Sequence, residues 1–155
     1  ILDGARTADA GGTVEEVTAA VMDRIATSSA LFYVDTLEYL RRGGRVTAAA
    51  AAVGQALSVK PILELVDGRV VPCERVRTSA KALARLTELA VQRAAGRPCD
   101  VAVQHLDAAA RAESLAELLA AALTDAHILV SEVGAVVGAH VGPGMVAVGI
   151  APRPA

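Results

Sequence analysis

The dipeptide Asp67-Gly68 sits between two runs of strand-forming residues, 59–66 before it and 69–77 after it. Aspartate followed by glycine supplies the two consecutive left-handed backbone positions of a tight hairpin turn, so the two runs are expected to pair antiparallel. Elsewhere the chain alternates strand-like with helix-like segments, the order of a βα series. A hairpin set into such a series requires a mixed sheet, with helices gathered mainly on one face. The expected fold is therefore a two-layer α/β domain with a mixed six-stranded sheet, not a doubly wound one.

The remaining elements follow from spacing and caps. Gly11-Gly12 precede Thr13-Val14-Glu15-Glu16, a capping box, and Val14, Val17, Val21, Met22 and Ile25 recur on one helical face to about Thr27. Leu31-Phe32-Tyr33-Val34 reads as a strand, followed by a capped helical turn to Leu40 that Gly43-Gly44 stop. The alanine-rich residues 46–57 favour a short helix. Thr78-Ser79 caps a long helix carrying Leu83, Leu86, Leu89, Ala90 and Arg93, which ends at Gly96 with Pro98 behind it. Residues 100–106 alternate as a strand, 109–123 are helical through Leu115, Leu118 and Leu119, and 128–130 and 145–150 are strands. The count is six strands and four or five helices. Residue 1 is Ile, and residues 1–12 read as the tail of something earlier, so a fragment or a processed chain is expected.

Composition excludes several classes of partner. With 155 residues, 54% hydrophobic and 21% charged, the chain has the makings of one buried core and not of a disordered segment. Fifteen Lys and Arg against 17 Asp and Glu leave a net charge of −2, with no general drive toward phosphate polymers or anionic lipid. Phe32, Tyr33 and Tyr39 are the only aromatic residues, too few for stacking nucleic acid bases. Cys73 and Cys99 form no CxxC and do not group with His105, His127 and His140, so neither a zinc site nor a disulfide framework is indicated and a reducing, cytoplasmic compartment is expected. The uncharged residues 133–152 are long enough to span a bilayer but contain five glycines, two prolines and a histidine, which argues against a membrane helix. No dinucleotide fingerprint or P-loop is present, and no cofactor is expected.

Three segments are candidates for function. In Arg41-Arg42-Gly43-Gly44-Arg45, paired glycines turn the backbone tightly while Arg45 offers a planar charged fork to a carboxylate or phosphate. The same residues also read as an ordinary helix C-terminus. In Arg75-Val76-Arg77-Thr78, a strand leads into a helix, where Thr78 either caps the helix or helps to hold an anion at its N-terminus. In Gly138-Ala139-His140-Val141-Gly142-Pro143-Gly144, two glycines flank a proline, and His140 is expected on a loop between strands, either contacting a ligand or hydrogen-bonded as a structural residue.

The order of these segments carries more than each does separately. The run Tyr33-Val34-Asp35-Thr36-Leu37-Glu38-Tyr39-Leu40-Arg41-Arg42-Gly43-Gly44-Arg45-Val46, then Val59-Lys60-Pro61-Ile62-Leu63, Asp67-Gly68, Val76-Arg77-Thr78 and His140-Val141-Gly142-Pro143-Gly144, resembles the DegV family from about Gly12 onward. The resemblance implies a non-enzymatic bacterial carrier of long-chain fatty acids, with the acyl chain in a tunnel between an N-terminal and a C-terminal α/β domain. Residues 1–155 resemble the C-terminal domain alone. It further implies that a fatty acid kinase phosphorylates the carboxyl group while the carrier holds the lipid. A hydroxyl clamp for the carboxylate would lie in the N-terminal domain, leaving weak lipid binding to this half. On that basis His140, Gly142, Pro143 and Gly144 are assigned to the carboxyl end of the fatty acid, and Arg45 and Arg77 to its polar mouth, facing the other domain or the kinase.

Two other readings compete. One is a small enzyme using His140 as general acid or base, with Arg45 or Arg77 stabilising an anionic intermediate, although no activated nucleophile accompanies them. The other is a non-catalytic interaction domain. Apolar residues ordinarily make core, and composition does not identify which of them would face lipid in a tunnel.

Overall fold

The structure, a computed structural model, describes residues 1–46 and 59–153. Helix α1 (Leu2–Asp9) occupies the stretch read as a tail, and α2 (Val14–Thr27) returns along it. The helices cross closely because Gly4 has no side chain: a Cβ there would lie 2.6 Å from Val21 Cγ2. The capping box of α2 is formed, with Glu16 N–H donating to Thr13 Oγ1 at 3.3 Å and Thr13 N–H to Glu16 Oε2 at 2.7 Å. Strand β1 (Ser29–Tyr33) and the short helix α3 (Glu38–Arg42) follow. Strands β2 (Lys60–Val66) and β3 (Arg69–Val76) form the expected hairpin, with Asp67 (φ 49°) and Gly68 (φ 72°) both left-handed at its turn. The helix expected over 46–57 lies almost wholly outside the described residues.

Helix α4 (Ser79–Ala94) is capped by Thr78, whose Oγ1 accepts from Lys81 N–H at 3.2 Å. Strand β4 (Cys99–His105), helix α5 (Ala109–Ala122), strand β5 (Ala126–Glu132), helix α6 (Ala135–Val141) and strand β6 (Val146–Pro152) complete the chain. Six helices are described: four that the sequence led one to expect, and α1 and α6 in addition, the remaining expected helix being the one over 46–57. Helix α6 corrects the expectation that His140 lies on a loop. Only Gly142-Pro143-Gly144 is a turn, and His140 stands in the last turn of a helix. Valine pairs and glycine made a poor helix signal there, but Gly138 lets Leu106 Cδ2 come within 3.2 Å of its missing Cβ, and this packing outweighs intrinsic propensity.

The sheet order is β3-β2-β1-β6-β4-β5, with only β4 and β5 parallel. It is the mixed six-stranded sheet that the hairpin requires. On one face Leu31, Tyr33, Ile62, Val101, Val103, Val146, Val148 and Ile150 alternate inward and pack under α4 and α5, whose Leu86, Leu115 and Leu119 are fully buried. Each such leucine contributes about 1.5–3 kcal/mol relative to exposure. The opposite face is covered only toward its ends. At one end α3 and α6 close over Val34, Leu40, Leu63 and Met145. At the other, Arg24 of α2 reaches the Pro152 carbonyl and Asp100, and holds Asp3 of α1 at 2.9 Å.

Candidate functional site

Strand register brings three strand ends together. Tyr33, at the end of β1, pairs with Val146 at the start of β6, and His105, at the end of β4, pairs with Val146 on its other side. The segments that follow β1 and precede β6 therefore meet, and they interlock. A Cβ on Gly144 would lie 2.1 Å from Asp35 Oδ2, one on Gly142 would lie 2.2 Å from Tyr39 Cδ2, and one on Gly43 would lie 2.1 Å from His140 Nδ1. Asp35, Tyr39 and Gly43 thus face Gly144, Gly142 and His140 in that order. Gly142 (φ 75°) and Gly144 (φ 85°) are also in left-handed backbone that other residues rarely adopt. Pro143 between them is exposed.

His140 is half-buried, and its Nδ1 is buried with no hydrogen-bond partner among the described residues. The other ring nitrogen, Nε2, can donate or accept a hydrogen bond. Arg45 is exposed and donates from Nη1 to the Gly43 carbonyl at 2.9 Å, so Gly43 joins Arg45 to His140. Arg77 is exposed at the junction of β3 and α4, next to the Thr78 cap, and pairs with no carboxylate among the described residues.

A polar network under this end escaped the sequence reading. Asp35 Oδ1 accepts from Lys60 Nζ and from Tyr33 OH, both at 2.6 Å, and Tyr33 OH lies 3.0 Å from Ser79 Oγ. Arg111 Nη1 reaches Tyr33 OH at 2.7 Å, Asp35 Oδ2 at 3.1 Å and the Gly144 carbonyl at 3.1 Å. Burial pushes the Asp35 carboxyl up, but the hydrogen bonds from Lys60, Tyr33 and Arg111 outweigh it and hold the group at about 2. Burial also raises Tyr33, reinforced by the hydrogen bond to Asp35. The network binds its own anion and leaves no activated base. Burial likewise raises both thiols, Cys73 and Cys99, away from the thiolate form that a nucleophile needs.

At the far end of the strands, α1 and α2 wall a groove of about 1030 Å³ on the less covered sheet face. Its floor is small and apolar: Ala30 of β1, Ala102 of β4, and Gly149 and Ala151 of β6. Leu65, 48% exposed, and Leu129, 60% exposed, flank it. None of His140, Gly142, Pro143, Gly144, Arg45 or Arg77 lines it. The same face continues toward α6 through Phe32 and its cross-strand partner Ala147, which pack beside Val141 and Leu40. The signal for this floor was present in β6, where Val146, Val148 and Ile150 alternate with Ala147, Gly149 and Ala151. No cluster of three or more His, Cys, Asp or Glu suited to a metal occurs among the described residues, and no described helix is long and apolar enough to cross a membrane.

The model of the DegV family matches residues 1–153. A DegV domain-containing protein of Streptomyces coelicolor is 56% identical over 98% of this chain and 54% of its own length. The chain therefore spans about half of that relative. The crystal structure of a DegV family protein from Corynebacterium glutamicum superposes with a TM-score of 0.90 at 31% identity, covering 98% of this chain and 59% of that one. The structure described as DegV, a fatty acid binding protein from Bacillus subtilis, superposes with a TM-score of 0.84 at 34% identity, covering 98% of this chain and 55% of that one. The family match spans nearly the whole chain, and the mixed sheet and its helices superpose on these structures: the chain belongs to the DegV family.

Proposed function

We propose that this chain is the C-terminal half of a bacterial cytoplasmic fatty acid carrier, which holds a long-chain acid and presents its carboxyl group to a fatty acid kinase for conversion to an acyl phosphate. The observation that carries this reading is the less covered sheet face, floored by alanine and glycine from the α2 wall and continued by Phe32 and Ala147 toward α6, with Asp100, Gln104 and His127 as polar neighbours on its β4–β5 side. Leu2, Ile25, Leu65 and Leu129, all exposed, gather around this floor, and a cluster of exposed large apolar side chains rimmed by polar residues marks a binding surface. A tail of about 14 methylenes gains on the order of 11 kcal/mol on leaving water, so a protein must offer such a refuge to compete with a membrane. A seven-residue strand is about 23 Å long, and one leaflet of a bilayer core is about 15 Å deep, so an extended acyl chain fits along the strands of this face.

In this reading the tail lies over Gly149 and Ala102, and the carboxylate reaches the α6 end. His140 Nε2–H donates to it, Gly142-Pro143-Gly144 hold the histidine in place, and Arg45 and Arg77 face the other domain or the kinase. An N-terminal domain closes the face and supplies further donors to the carboxylate. The fatty acid binding of the Bacillus subtilis relative supports the ligand class. Palmitate titrated calorimetrically into the full-length protein and into residues 1–155 tests the arrangement. Tight binding only by the full-length protein is expected, together with fatty acid detected by mass spectrometry in its organic extract. Equal affinities would sink the interdomain site, and a kinase that phosphorylates free and carried acid equally well would remove the role of presenter.

A further inference from the structure

Helix α6 is seven residues long, about two turns, and a helix so short holds no geometry of its own. Its contacts with the segment after β1 run in both directions. Tyr39 and Asp35 project into the spaces over Gly142 and Gly144, while His140 projects into the space over Gly43. Tyr39 and Gly43 are one helical turn apart and so lie on one side of α3. Moving α6 closer to α3 drives the imidazole into Gly43 and the Tyr39 ring into the Gly142 backbone. At the far end Arg111 ties the Gly144 carbonyl to Asp35, and Gly144 N–H donates to the Leu106 carbonyl at 2.8 Å.

We infer that Asp35, Tyr39 and Gly43 form a positioning ridge that sets where His140 stands over the sheet face, with the Tyr39 ring as its central tooth. Asp35 fixes the far end through Arg111, and Gly43 leaves the space that the imidazole fills. The inference rests on the proposed contact between His140 and the ligand carboxylate, and it adds a positioning role for residues that touch no lipid. A donor shifted by about 1 Å loses much of its hydrogen bond, so the ridge governs retention without contacting the acid.

The experiment combines Tyr39→Phe and Tyr39→Ala, each alone and with His140→Ala, in the full-length protein. Palmitate retention, thermal melting and the imidazole NMR resonances of His140 are read for each. The atoms nearest Gly142 are carbons of the Tyr39 ring, so Tyr39→Phe is expected to behave as the parent. Tyr39→Ala is expected to move the His140 resonances and weaken retention about tenfold, the scale of one lost hydrogen bond to a charged group, while adding nothing in the His140→Ala background. Unmoved resonances, or losses that add in full, overturn the inference. Should His140→Ala alone retain palmitate like the parent, the carboxylate contact fails, and the resonances in Tyr39→Ala still decide whether the ridge positions the histidine. If Tyr39→Ala does not fold, Arg111→Met frees Gly144 instead. Moved His140 resonances are then expected, and unmoved ones overturn the inference.

Discussion

Asp35→Asn removes the charge at the centre of the polar network while keeping the side chain's shape. In the parent, one carboxylate accepts from Lys60, Tyr33 and Arg111 and is held at about 2 against an ordinary value of 3.8. A shift of that size corresponds to roughly 2 kcal/mol, and solvent screening at a side chain 29% exposed lowers it to about 1–2 kcal/mol. The folded carboxyl lies below its unfolded value, so the contribution is complete at neutral pH and is lost as pH falls through 3.8 toward 2. About half of it remains at pH 3 by the same linkage. For a chain of this length each kcal/mol moves the melting temperature by roughly 2–4 °C, so Asp35→Asn should melt about 2–8 °C below the parent at pH 7. Circular dichroism melts at pH 7, 4 and 3 should show that gap narrowing as the acid protonates. A gap absent at pH 7, or unchanged at pH 3, would refute the assignment of Asp35 as a stabilising anion.

Arg24→Ala should detach α1 and α2 from the end of the sheet, because one guanidinium, 12% exposed, holds Asp3, Asp100 and the Pro152 carbonyl together. A loss of about 2–3 kcal/mol is expected, with faster hydrogen exchange in both helices, and unchanged exchange would contradict the clamp. Gly142→Ala places a Cβ 2.2 Å from Tyr39 in left-handed backbone and should cost at least about 2 kcal/mol in denaturant melts. Parent-like stability would mean that the two motifs do not interlock. Arg45→Ala and Arg77→Ala, both at exposed positions, should leave melting within about 1 °C of the parent while lowering the rate of acyl phosphate formation by the kinase. A large drop in melting with phosphorylation intact would make them structural.

What the sequence made legible was local. Thr13 with Glu16, Asp67-Gly68 and Thr78 act on neighbours within three residues, so their hydrogen bonds and backbone angles are written in adjacent letters. The alternation of β6 is likewise visible, but which face lies open depends on where α4 and α5 settle. Lys60 and Arg111 are 25 and 76 residues from Asp35, and pairs so distant leave no period to read. Helix α6 was hidden for a related reason. Its residues favour extended structure, and the contacts that hold it come from Leu106 and from α3, both far away in the chain. The glycines of the two motifs were conspicuous in the sequence, yet the side chain that each accommodates became evident only in three dimensions.

The position of β6 also dictates how the molecule is assembled. Residues 146–152 form a central strand, with β1 on one side and β4 on the other, so Ser29 near the start of the sheet finds its partner only at Ile150. During synthesis the β2–β3 hairpin and the α4–β4–α5–β5 unit are complete while the slot between β1 and β4 is still empty. Closing it spans most of the chain and must await the last strand, and such non-local pairing makes folding slow. Until then the open edges of β1 and β4, flanked by apolar faces, are the surfaces most exposed to intermolecular pairing, so chaperone engagement and misassembly should concentrate on chains stalled just short of β6.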